Sequence, residues 1–91
     1  MKESSWKECL ENNSAIERSV DEKKAKSLKN IALGRIEFLE QQNIIEENAN
    51  YIFEGYYSSI TELIHSIATL KGYKILNYLC IGFFLKEVLK R

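Results

Sequence analysis

The sequence predicts an all-α, up-and-down bundle of about four helices, and three observations carry that prediction. Apolar residues recur at steps of three and four over most of the chain, the period of helices that bury one face. The composition holds no proline and only four glycines, which argues against an all-β chain built on many tight turns. Capping signals then punctuate the chain where the periodic stretches begin and end. Residues 1–91 are read as a single domain, small enough that its core is thin.

The first element is a short helix over residues 5–12. Ser5 and Glu8 form a capping box, and Trp6, Cys9 and Leu10 fall on one side. Asn12-Asn13-Ser14 breaks it. So short a helix is marginal alone and must dock on the rest through Trp6. Residues 15–20 read either as another helical turn, with Ile16 and Val20 four apart, or as an ordered connector. A second capping box, Ser19 to Glu22, opens a helix over about 20–42, with Ala25, Leu28, Ile31, Ala32, Arg35, Ile36 and Leu39 as its apolar-periodic side. Glu22 with Lys26, and Asp21 with Lys24, are expected as weak surface pairs. Gly34 costs ~1 kcal/mol against alanine in a helix interior, so it is expected to mark a close approach by a neighbour.

The short connection Asn43-Ile44-Ile45 makes the next helix an antiparallel neighbour. That helix, about 46–71, is the longest periodic stretch and contains the single histidine. Glu46 and Glu47 suit its N-terminus, and Lys71-Gly72 supplies a basic last turn and a left-handed stop. Asn77 caps the last helix, about 77–90, which is apolar nearly all round in its first half and must be covered on all sides. Three preceding helices leave part of it bare, so Tyr78, Phe83, Phe84 and Leu85 are the expected interface residues. The pattern also stops uncapped at Leu89-Lys90-Arg91, so either a second copy or a continuation of the chain is expected to supply the cover.

Thirteen basic and thirteen acidic side chains cancel, which removes any global electrostatic case for nucleic acid or anionic membrane. Residues 75–85 form the most hydrophobic stretch, far short of the roughly 20 residues a membrane span needs. Met1-Lys2-Glu3 leads into serines without an apolar core, so no signal peptide is read there. Cys9 and Cys80 are far apart and in different contexts, one polar and one apolar. They are expected as two free thiols in a reducing cytosol, and the protein as cytoplasmic.

Chemistry is sparse. No Gly-rich phosphate loop, paired-cysteine zinc motif, two-histidine metal motif or nucleophile elbow is present. No catalytic residue, metal or cofactor is therefore assigned. His65 is the one side chain that titrates near neutral pH, and Glu62 lies one turn before it. With Tyr57 and Lys71, they are the candidates for contact with a ligand or RNA.

The lysine-rich start with Ala25-Lys26-Ser27-Leu28, the Arg35-Ile36-Glu37-Phe38-Leu39 turn and the central Tyr56-Tyr57-Ser58-Ser59-Ile60-Thr61-Glu62-Leu63-Ile64-His65-Ser66-Ile67 together resemble the first half of a HEPN domain. The likeness runs on through Leu70-Lys71-Gly72-Tyr73-Lys74 to the Asn77 helix and covers roughly residues 15–90. It implies an up-and-down helical bundle of the small stand-alone prokaryotic kind, related to nucleotide- or RNA-directed proteins of toxin–antitoxin systems. Ribonuclease members carry an arginine four to six residues before a histidine. Here Ser58, Ser59 and Ile60 precede His65, and Asn77-Tyr78 stands where many relatives have Asn-His. No nuclease residue carries over. The expectation is thus a non-catalytic HEPN-like interaction module, forming a homodimer or pairing with a helical protein partner, with no membrane and no DNA indicated. The alternative is part of an RNA- or nucleotide-directed toxin or RNase whose catalytic motif lies outside this chain.

Overall fold

Residues 3–89 are described by the structure, a computed structural model. It is mostly helical, with a small two-stranded sheet that the all-α expectation did not include. In chain order the elements are α1 (Trp6–Glu11), β1 (Ala15–Glu17), α2 (Glu22–Glu40), α3 (Ala49–Leu70), β2 (Tyr73–Ile75) and α4 (Tyr78–Phe83), the last continuing as a π-helical segment, Phe84–Leu89. The expected end of the last helix at Lys90 lies outside the described residues.

Local chemistry sets the boundaries. The Ser5 hydroxyl accepts the Glu8 N–H at 3.2 Å, as the capping box predicts, while the Glu8 carboxylate accepts the Ser4 N–H at 2.8 Å. At α2 the cap is Asp21 and not Ser19. Its carboxylate accepts the Lys24 N–H at 3.0 Å, which satisfies a free donor of the first turn and starts the helix later than expected. Neither surface pair expected in that turn forms; among the described residues the ion pair is Arg35 with Glu62. The third helix also starts later, because Asn48 ties the preceding turn. Its side chain accepts the Ile45 N–H and donates to the Asn43 carbonyl, both at 2.9 Å, leaving Glu46 and Glu47 in the turn ahead of α3. Gly72 ends α3 at φ +86°, the left-handed conformation that glycine adopts without steric cost.

α2 and α3 form the antiparallel hairpin that the short connection requires. Their seam is made of small residues, Ala25 and Ala32 on one helix and Gly55, Ser59 and Ser66 on the other, which lets the two backbones approach closely. The Ser66 hydroxyl donates to the Ala25 carbonyl at 2.7 Å, and the Ser59 hydroxyl to the Gly55 carbonyl at 2.8 Å, so both buried oxygens are satisfied. The close approach falls at Gly55, where a Cβ would sit 2.9 Å from Leu39. A Cβ at Gly34 would meet nothing within 4 Å, so the expected role of Gly34 is not the one it has.

The base of the hairpin is closed by the two strands, which run antiparallel with Ala15 opposite Ile75, Ile16 opposite Lys74 and Glu17 opposite Tyr73. The ladder is extended at each end by the Arg18 N–H on the Gly72 carbonyl (2.7 Å) and the Leu76 N–H on the Ser14 carbonyl (2.8 Å). Residues 15–17 are therefore strand, neither helical turn nor mere connector. Around this ladder sits the main core of Trp6, Cys9, Ala15, Ala68, Ile75, Cys80 and Phe84. Trp6 docks α1 as expected, its ring edge-on to Tyr73 at 5.3 Å and tilted against Phe84 at 5.4 Å. The Trp6 N–H also donates to Glu87 at 3.3 Å, tying the start of α1 to the π segment.

Two expectations fail here. Cys9 and Cys80, both fully buried, are joined by a disulfide that links α1 to α4, with 6.1 Å between their Cα atoms. They are not free thiols. The polar and apolar contexts read from the sequence converge in one core, and the thiol argument for a reducing compartment goes with them. Phe84, expected at an interface, is also fully buried, within the chain itself, where α1 and the strands cover it. Burial of such a side chain contributes about 1.5–3 kcal/mol.

Candidate functional site

The ligand candidates do not converge. Glu62 points from α3 to α2, where its carboxylate accepts from the Arg35 guanidinium at 2.7 Å. It is thereby committed to the hairpin and does not orient His65 through a hydrogen bond. His65 is half-buried on the same helix; burial lowers its pKa below 6.5, the Glu62 charge acting in the opposite direction. Lys71 is exposed at the C-cap of α3. Tyr57 and Glu62 do line one open hollow with Arg35, Tyr51 and Glu54. Its one cation is already held by Glu62, and Glu54 adds negative charge, a poor setting for phosphate. Among the described residues no group of three or more potential ligands gathers for a metal ion.

What the fold does assemble is apolar. The inner face of α3 toward α2 runs through Ile52, Ser59 and Ser66, seven residues apart. A second line, Phe53, Tyr57, Ile60, Ile64 and Ile67, alternates steps of four and three, the spacing of a coiled-coil seam. This second seam faces away from α2. Phe53 is 69% exposed and Ile60 53%, and Tyr57 and Ile67 are exposed as well. Ile64 alone is drawn toward the core. No single apolar count along the sequence separates the two seams, because they share one helix and differ by a rotation of roughly a third of a turn. Splitting the pattern into two heptad lines is the signal that would have found it.

Beside this seam stands α4, which packs on α1, β2 and the π segment. The two helices diverge and leave a groove of about 330 Å³ between Tyr57, Ile60 and Ile64 on one side and Tyr78, Leu79 and Ile81 on the other. At its mouth the Tyr57 and Tyr78 rings lie 6.1 Å apart and tilted by 41°. The Tyr78 phenol pushes the Tyr57 hydroxyl above its ordinary pKa, with desolvation adding to the shift. Tyr78 is 68% exposed, and Leu79 and Leu85 are exposed too. Of the four residues expected at an interface, Tyr78 and Leu85 thus present open apolar surface. Phe83 is half-buried against the core, and Phe84 is inside it.

Across the described residues these features define a mostly helical protein with four helices, a small two-stranded sheet and an open apolar groove. Among the described residues no helix is long and apolar enough to cross a membrane. Compared with known proteins, the chain matches no family, no curated protein and no solved structure.

Proposed function

We propose that the protein is a non-catalytic, HEPN-like helical interaction module that presents the second seam of α3 and the adjoining groove to a helical partner. The observation that carries this reading is the seam itself. Five residues at coiled-coil spacing line a helix face that nothing among the described residues fully covers. Apolar side chains left in contact with water on one continuous line are unfavourable unless a partner removes them from it. Partner helices fill such grooves by laying an apolar stripe along them. The absence of convergent titratable groups around His65 fits a binding role better than a chemical one.

The test is a fluorescence-anisotropy titration with a labelled amphipathic helical peptide bearing leucine at its a and d positions. Binding at micromolar concentration that Ile60→Asp abolishes, with the circular dichroism spectrum unchanged, is the expected result. A protein that ignores the peptide and shows no self-association would refute the module reading.

A further inference from the structure

Building on the interaction-module reading, we infer that the occupant of the α3 seam is a second copy of this chain, packed antiparallel about a twofold axis at Ile60. Three observations lead there. The first is surface. A compact monomer of 10.6 kDa exposes about 5,500 Å², whereas this chain exposes 6664 Å². The surplus of about 1,200 Å² exceeds the ~800 Å² that each partner buries in a standard-sized complex. The radius of gyration agrees, at 14.9 Å against the ~12 Å of a compact domain of this length.

The second is the symmetry of the seam. Ile60 is its midpoint, so an antiparallel pairing about that residue sets Phe53 opposite Ile67 of the other copy and brings Tyr57 to within one residue of the level of Ile64. Each large ring thereby meets a β-branched aliphatic side chain, and both copies use the same patch, as a twofold interface requires. On α2 the exposed Ile31 and Phe38 also lie seven residues apart, but Leu33 falls off their line, so α2 offers a pair where α3 offers a line of five.

The third is charge. Glu46 and Glu47 precede the start of α3, and Lys71 and Lys74 follow its end. Antiparallel pairing lays the acidic end of one copy over the basic end of the other and opposes the two helix dipoles, both favourable. Parallel pairing would set like charges together. The formal net charge of zero leaves no overall repulsion between copies.

The wild-type protein in solution, with its disulfide intact, is the material for the test. Light scattering at micromolar concentration is expected to give twice the chain mass, and Ile60→Asp to halve it without loss of helical circular dichroism. Ile60→Cys is expected to give a covalent dimer under mild oxidation, because the two introduced thiols meet on the axis. Ser58→Cys, on the far side of α3, is expected to give none. Since Ile60→Cys preserves an uncharged side chain, it decides the matter even if the aspartate variant unfolds. A monomeric wild type overturns the second-copy assignment, and the peptide titration then decides separately whether the module reading survives. A dimer that persists in folded Ile60→Asp overturns the seam. A dimer that Ile60→Cys fails to cross-link overturns the antiparallel register.

Discussion

Replacing Cys9 and Cys80 together by alanine opens a covalent loop whose ends are 71 residues apart in sequence. In the chain-entropy account, closing a loop of that size removes enough freedom from the unfolded chain to stabilise the native state by about 4 kcal/mol. A domain of this length has a total stability of only about 5–14 kcal/mol, so the bridge is a large share of it. With a urea dependence of roughly 1–2 kcal/mol per molar for a small domain, the unfolding midpoint should fall by about 2–4 M. The assay is built into the molecule. Trp6 is the single tryptophan and sits in the same core as the bridge, against Tyr73 and Phe84, so its fluorescence follows the loss of this cluster. Reduced wild-type protein is the companion sample, since it loses the link while keeping both sulfur atoms. A midpoint that moves by less than about 0.5 M in both samples would show that the bridge does not constrain the unfolded chain as reasoned.

Two glycines should respond in opposite directions. Gly34→Ala adds a methyl group into open space on an exposed helix and should raise stability by up to about 1 kcal/mol, or roughly 4–8 °C in melting temperature. Gly72→Ala forces an L-residue to φ +86° with its Cβ 2.9 Å from the Arg18 carbonyl, and should cost about 1–2 kcal/mol by the same melt. His65 makes stability depend on pH. Its pKa in the fold is lowered from 6.5, so the unfolded state binds protons more readily; its contribution is present above pH 6.5 and is lost as the pH falls through the lower folded value. His65→Gln should flatten that part of a urea-midpoint profile, and an unchanged slope would remove His65 as its source.

The helices were legible because each buries one side, and a period of three and four survives in any sequence that does so. Their starts were less so. Ser19 and Asp21 are both good caps, and only the turn actually formed selects Asp21. The strands were illegible, since three residues give no alternation to read. The disulfide was hidden for a related reason. Two cysteines 71 residues apart have no spacing signature, and their meeting depends on α1 folding back through Trp6. The last helix reads as needing cover, but which of its residues α1 and the ladder take, and which stay exposed as Tyr78 and Leu85 do, is not legible in a pattern apolar on nearly every side. The pairing of Glu62 with Arg35, 27 residues away, was likewise invisible beside the local His65 spacing.

The ladder between β1 and β2 also separates the molecule into two kinds of folding problem. The α2–α3 hairpin lies wholly between the two strands, and its contacts cross only a short turn, so it can form early and on its own. The base needs residue 17 to find residue 73 before its ladder can start. Loop-closure entropy opposes that search, but a preformed hairpin shortens it by bringing the ends of α2 and α3 side by side. The hairpin thus acts as the ruler that sets the register of the strands, and the same closure lays Cys9 and Cys80 together in the native core.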